Sequence, residues 1–176
     1  MTTYVWYFIR ATGTVAYLLL YASVMVGLFS QVQKKRRKKV KNTLHLHEAL
    51  SNWALILVTC HLVFLFFDTY LSFQWFELFL PFTTDYKPFP MAIGTFSFYI
   101  LLITFVTTKL RKKIGIQTWR KLHMLTPFLY IFVTAHALLI GTDFQAFSIF
   151  ILNMVPLAVF LWLLFKRYDT GAVVKS

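Results

Sequence analysis

The stretch "HLHEALSNWALILVTCHLVFLFFD" at residues 45–68 contains an apolar run, residues 48–68, that is long enough to cross a lipid bilayer. One histidine, His61, lies inside this run, and two more, His45 and His47, stand at its start. Ionisable side chains inside a membrane span are costly and are therefore candidates for function. The stretch predicts a transmembrane helix that carries a functional site.

Comparable apolar runs occur along the rest of the chain. They cover residues 4–29, 91–110, 119–140 and 144–165. Of the 176 residues, 59% are hydrophobic and only 14% are charged, which argues against a soluble enzyme, and the single cysteine, Cys60, excludes a disulfide-stapled module. We expect an all-α integral membrane bundle of about five transmembrane helices, a multi-pass protein of the cell membrane that forms one domain over residues 1–176.

The positive charges are distributed asymmetrically around these runs. Every lysine and arginine except Arg10 and Lys87 lies at or after the end of the first, third or fifth run. Cytoplasmic loops of membrane proteins collect such residues, so we expect the N-terminus outside and the C-terminus in the cytoplasm. Residues 30–47 then form a basic cytoplasmic loop, and residues 69–90 form an aromatic outer loop that lies at the interface or folds back over the bundle. Because apolar spans flank the basic run, we expect contact with anionic lipids and no nucleic acid.

Four histidines lie at two depths on two of the predicted spans. His47 and His61 are 14 residues apart, which on an ideal helix separates them by about 40° in azimuth and about 21 Å along the axis. His123 and His136 are 13 residues apart, which gives about 19.5 Å along the axis but a rotation of about 140°. On an ideal helix His123 and His136 would therefore not share a face, unlike His47 and His61. Pro127 is able to kink this helix, so the difference in rotation does not exclude a common site, although the sequence does not explain it.

Both spans run outwards from the cytoplasm, so the histidines pair by depth. His47 faces His123 near the cytoplasmic surface, and His61 faces His136 near the outer one. Two imidazoles on opposite sides of a flat macrocycle ligate a haem iron axially, so we predict two b-type haems. The alternatives are histidines that hydrogen-bond neighbouring helices, or a non-redox protein that binds or conducts metal ions. His45 fits neither spacing and is expected to be an interfacial neighbour.

Several segments make the sequence similar to the ferric reductase-like transmembrane domain family, over roughly residues 5–145. The family pattern has 13 residues between the histidines of one haem-binding helix and 12 between those of the next, and this chain reproduces both. Small bacterial members also resemble it in "RATGTVAYLLLYASVMVGL" at 10–28, "LPFTTDYKP" at 80–88, "WRKLH" at 119–123 and "HALLIGTD" at 136–143. Relatives include the membrane parts of ferric-chelate reductases and NADPH oxidases, and the haem subunit of methionine sulfoxide reductase systems.

The resemblance implies a membrane cytochrome that moves single electrons from the cytoplasmic haem to the outer one, as an oxidoreductase component. Relatives that are complete reductases add a flavin and nicotinamide domain, whereas these 176 residues contain no Gly-rich dinucleotide fingerprint. We therefore expect a separate cytoplasmic flavoprotein or other electron donor. The expected acceptor is extracytoplasmic, either a ferric chelate or a reductase subunit such as a sulfoxide reductase.

Three cationic residues are candidates to bind haem propionates. Arg120 and Lys121 precede His123 by a turn or less, where propionates would reach the cytoplasmic interface, although both also serve as topology charges. Arg10 lies within the outer half of the first span, where an unpaired guanidinium is costly. It is expected to pair either with an outer propionate or with Asp68 or Asp143.

Overall fold

The described part of the chain is helical apart from turns and the connections between helices. The computed structural model describes residues 2–38, 42–141 and 147–169, so Lys39, Lys41, Asp143 and Lys175 of the predicted charge pattern lie outside the described residues. Within these ranges there are eight helices: α1 Thr2–Lys35, α2 Thr43–Phe66, α3 Trp75–Phe79, α4 Pro88–Lys109, α5 Arg111–Ile114, α6 Ile116–His123, α7 Thr126–Ile140 and α8 Phe147–Asp169.

Four stretches of helix are long and apolar enough to cross a membrane. They are Tyr4–Lys35, Thr43–Phe66, Pro88–Lys109 and Ile116–Ile140. α8 covers most of the fifth predicted run, whose first residues lie outside the described ranges. Large apolar side chains on these helices remain exposed, among them Trp53 at 60% and Phe128 at 56%, as expected for surfaces that lipid covers. The predicted all-α membrane bundle is confirmed, while the orientation of its termini stays a prediction.

The bundle is built from two antiparallel helix pairs. α1 packs along α2, and α4 packs along α7, while α1 also contacts α7 and α8. Tyr17 of α1, Tyr130 of α7 and Phe160 of α8 form one buried cluster, and each is at most 4% exposed. A second cluster joins α1, α2, α4 and α7 through Leu20, Ala54, Leu101 and Leu129. These contacts place α2 and the α6/α7 segment around a common interior.

The predicted span at residues 119–140 is interrupted directly after His123. α6 ends at His123, and α7 begins at Thr126. Pro127 has no N–H group, so it cannot bond the carbonyl oxygen of His123 four residues earlier. The hydroxyl of Thr126 donates to that oxygen instead, at 2.7 Å. The segment from His123 to His136 is therefore not one ideal helix, and the rotation of about 140° calculated for an ideal helix does not apply to it.

The long connection between α2 and α4 folds back over one end of the bundle. Asp68, which is 5% exposed, accepts hydrogen bonds from the main-chain N–H groups of Tyr70 and Leu71 and so fixes the turn after α2. Phe73 and Leu78 are buried against α4. This aromatic segment therefore covers the end of the bundle opposite to the basic residues.

Candidate functional site

His47 of α2 and His123 of α6 lie side by side inside the bundle. Their ring centroids are 6.0 Å apart, with an angle of 80° between the ring planes. Two cavities, of about 440 Å³ and about 410 Å³, border this pair and share both imidazoles in their linings. We call these two histidines the basic-end pair, because the cationic ends of several helices surround them.

The cations of the basic end meet at the larger cavity. Lys34 of α1, Arg111 of α5, Arg120 of α6 and Arg167 of α8 all contribute to its lining, together with Glu48 of α2. The ends of α1 and α8 are also joined directly, because the Lys35 ammonium donates a hydrogen bond to the Arg167 carbonyl. The cavity beside His47 and His123 is therefore a region of positive potential.

His47 is held by α1 through a small polar network. Its Nδ1 lies 2.8 Å from the carbonyl oxygen of Ser23 and 3.0 Å from the Ser23 hydroxyl. That hydroxyl is also 2.7 Å from the hydroxyl of Ser51, one turn further along α2. Ser23 is only 2% exposed, so this network is shielded from solvent and fixes the orientation of the His47 ring.

His61 of α2 and His136 of α7, which we call the far pair, are held by main-chain oxygens. Nδ1 of His61 lies 3.0 Å from the carbonyl oxygen of Ile9, and Nδ1 of His136 lies 2.9 Å from that of Pro90. Both histidines lie towards the end of the bundle that the aromatic segment covers.

These hydrogen bonds define the tautomer of three imidazoles. A carbonyl oxygen can only accept a hydrogen bond, so Nδ1 of His47, His61 and His136 must carry the hydrogen. In a neutral imidazole, Nε2 then has a free lone pair, which is the form that ligates a metal. Three of the four predicted ligands are therefore prepared for coordination through Nε2.

His123 has a different environment from the other three. Its Nδ1 is buried and has no hydrogen-bond partner among the residues that the structure describes. The ring instead stacks on Trp119, with centroids 5.2 Å apart and an angle of 28° between the planes. The indole Nε1 of Trp119 donates to the hydroxyl of Thr108 on α4 at 3.1 Å, which fixes the surface on which His123 rests.

The remaining predicted residues are located as follows. Arg120 lines the larger cavity, whereas Lys121 lines neither of the two cavities beside the basic-end pair. The Arg10 guanidinium lies 4.1 Å from the centroid of the Trp6 ring, and Asp143, one of its two predicted carboxylate partners beside Asp68, falls outside the described residues. His45 is exposed on the first turn of α2.

Sequence reasoning missed Ser23, Ser51 and Trp119. Serine and tryptophan carry no ligand signal of their own, and Ser23 reaches His47 only because α1 packs along α2. A signal for the other two was available in the sequence: Ser51 is four residues after His47 and Trp119 is four residues before His123, so each shares a helix face with its histidine.

The helices and their exposed apolar faces define the class: a multi-pass, all-helical membrane protein with histidines paired in its interior. A family model for the ferric reductase like transmembrane component matches residues 12–134, about two thirds of the chain, and the chain belongs to this family. The matched segment includes His47, His61 and His123 and ends two residues before His136. Comparison with curated proteins and with solved structures gave no significant match.

Membership of the family makes the protein a membrane redox component. Ferric reductase-like transmembrane domains commonly bind haem, and they usually work together with partner redox domains. Among the described residues, no group of three or more His, Cys, Asp or Glu side chains lies together in a way that could hold a metal ion.

Proposed function

We propose that the chain binds two b-type haems, one at His47 and His123 and the other at His61 and His136, and moves single electrons across the membrane. The observation that carries this proposal is the 6.0 Å separation of the His47 and His123 rings. Two imidazoles that ligate one metal from opposite sides, each at about 2 Å, have ring centroids about 6 Å apart. The residues present therefore fit a haem at the basic end.

The number of protein ligands also favours haem over a bare metal ion. A structural zinc site takes about four protein ligands, whereas a porphyrin supplies four nitrogens and leaves two axial positions for the protein. His47 and His123 form a set of two. When bound, each haem supplies an iron that alternates between the ferric and ferrous states, which is the chemistry of single-electron transfer.

The chain's own residues would hold and insulate these groups. Ser23, Ile9 and Pro90 orient three imidazoles through main-chain oxygens, and Trp119 supports the fourth. The apolar faces of α1, α2, α4 and α7 exclude water from the interior. Arg120 and the other cavity cations are proposed to pair with propionates at the basic end. Arg10 stays a candidate for a propionate contact at the far end.

The two ends of the bundle would meet different partners. The basic end offers a cationic surface to an acidic electron donor, which we propose to be a cytoplasmic flavoprotein or another reduced carrier. The far end would deliver electrons to an extracytoplasmic acceptor, a ferric chelate or a reductase subunit. Lipid would cover the exposed apolar faces between them.

Haem quantitation of the purified protein tests the proposal directly. We expect about two haems per chain and a b-type band in the dithionite-reduced minus oxidised difference spectrum. A variant in which His47, His61, His123 and His136 are all alanine should bind no haem, whereas His45→Ala should match the wild type. A colourless wild-type protein, folded and produced with sufficient haem, would refute the proposed function.

The orientation of the bundle is tested separately by cysteine labelling. Because Cys60 is the sole cysteine, Cys60→Ser gives a background into which single cysteines are introduced. With the basic end in the cytoplasm, Asp85→Cys should react with a membrane-impermeant maleimide in intact cells. Lys38→Cys should react only after the membrane is opened. The reverse pattern would show that the proposed direction of electron flow is wrong.

A further inference from the structure

Three glycines lie directly against three of the four paired histidines. A Cβ atom built on Gly94 of α4 would be 2.5 Å from Cε1 of His136, and one on Gly13 of α1 would be 3.1 Å from Cε1 of His61. A Cβ atom on Gly27 of α1 would be 3.3 Å from Cε1 of His47. The imidazoles thus occupy the space that a side chain on these helices would fill.

Each glycine follows the carbonyl that holds the same imidazole by four residues. The carbonyls belong to Ile9, Ser23 and Pro90, and the glycines are Gly13, Gly27 and Gly94. In a helix, the N–H of residue i+4 already bonds the carbonyl of residue i, and its Cβ tilts back towards that carbonyl. Without a Cβ atom, the second lone pair of the oxygen is open to a donor from another helix. The glycine therefore gives the imidazole access to the carbonyl.

The spacing of the glycines matches that of the ligands. Gly13 and Gly27 are 14 residues apart on α1, as are His61 and His47 on the antiparallel α2. Fourteen residues after Gly94 on α4 stands Thr108, whose hydroxyl donates to the carbonyl of Thr104 at 2.7 Å. This hydroxyl also accepts the Trp119 hydrogen bond, and Trp119 stacks on His123. Of the four paired histidines, His123 is the one without a glycine against its ring, and its Nδ1 has no hydrogen-bond partner among the described residues.

We propose that Gly13, Gly27 and Gly94 are positioning residues, each forming with the carbonyl four residues before it a main-chain seat that sets the tautomer and ring orientation of one imidazole. This inference rests on the proposed function, since it assigns what orients the ligands of the proposed haems. α1 and α4, which supply no ligand, then determine how the ligands on α2 and α7 present Nε2.

Alanine substitutions test the seats one at a time. Gly94→Ala and Gly13→Ala should both alter the far haem, although they lie on different helices, and Gly27→Ala should alter the basic-end haem. The effects should decrease from Gly94 to Gly13 to Gly27, in the order of the clearances of 2.5, 3.1 and 3.3 Å. For Gly94→Ala we expect at least about tenfold weaker binding of one haem, as for loss of a group that orients a metal ligand.

The readouts must separate orientation from general packing. Electron paramagnetic resonance of the ferric protein reports the orientation of the imidazole rings at each haem. Redox titration reports the midpoint potential of each haem. A tenfold change in the preference for the ferric over the ferrous state shifts that potential by about 59 mV. Ser97→Thr is the matched control, because it adds one methyl group at a buried site of α4, three residues from Gly94. It should leave both haem signals unchanged.

Histidine nitrogen NMR of the haem-free protein gives a readout that does not depend on haem binding. The wild type should show three histidines with hydrogen on Nδ1, and each Gly→Ala variant should lose one of them. If all three variants keep the three Nδ1-protonated histidines and both haem signals, the positioning role of the glycines is refuted. The proposed function would remain intact. If Gly94→Ala fails to fold, Gly27→Ala, with the largest clearance, decides by the same measurements.

Discussion

The basic-end pair and the far pair are built from the same kind of residue but are supported differently. In the far pair, both His61 and His136 donate to main-chain oxygens. In the basic-end pair, only His47 does so, and His123 rests on Trp119 beside cavities lined by cations. A main-chain carbonyl remains present when the side chain of its own residue is substituted, whereas a stacked ring and a charged cavity change with the side chains that form them. The difference indicates a fixed far site and a tunable basic-end site.

Removing a ligand should have the largest effect and tests whether the pairs are the right ones. We expect His61→Ala and His136→Ala to lose the same haem, and His47→Ala and His123→Ala to lose the other, so that each variant retains about one haem per chain. Haem quantitation with low-temperature difference spectra distinguishes the two components. If His47→Ala and His136→Ala lost the same haem signal, the proposed pairing of the histidines by depth would be wrong.

Ser23→Ala should weaken the basic-end site alone. It removes the buried hydroxyl that contacts Nδ1 of His47 and the hydroxyl of Ser51, while the Ser23 carbonyl remains. We expect binding of the basic-end haem to weaken about tenfold, as is typical for residues that support a metal ligand, with the far haem unchanged. Haem titration of the apoprotein measures this. Ser97→Ala is the control, since Ser97 is equally buried but bonds only its own helix at Ile93.

Trp119→Leu should have a smaller effect on the same site. It removes the ring on which His123 stacks and the hydrogen bond to Thr108. Aromatic stacking contributes about 0.5–1.5 kcal/mol, which corresponds to a change in haem affinity of roughly two- to tenfold. Trp119→Phe keeps the stack and should restore most of the affinity. Equal losses in the two variants would show that stacking does not support His123.

Arg120→Gln should have the smallest effect, a lowered midpoint potential of the basic-end haem. A nearby cation favours the reduced state, because that state carries one more negative charge, so removing the cation lowers the potential. We expect less than a tenfold change in redox preference, which is a shift of less than about 59 mV. Lys121→Gln is the matched comparison, since Lys121 lines neither cavity. Equal shifts in both variants would point to a general surface charge effect.

Much of the fold was accessible from the sequence, because a bilayer demands long apolar helices and each run of that length predicts one. The exact helix ends were less accessible: α2 begins at Thr43, five residues before the apolar run, because polar residues continue a helix beyond the lipid core. The histidines could be predicted as a site, since ionisable residues are rare in spans. The groups that support the histidines could not be predicted. Glycines and main-chain carbonyls are not by themselves signals of a site, and those of α1 and α4 contact the histidines only because these helices pack against α2 and α7.

The interruption between α6 and α7 separates two quantities that a continuous helix would couple. In an unbroken helix, the number of residues between two side chains fixes both their depth difference and their relative direction. Here a turn at Met124 and Leu125 lies between His123 and His136, so the number of intervening residues does not by itself fix the relative direction of their side chains. A change in the backbone at this turn can therefore alter the direction of one imidazole ring without changing the depth of either histidine in the membrane.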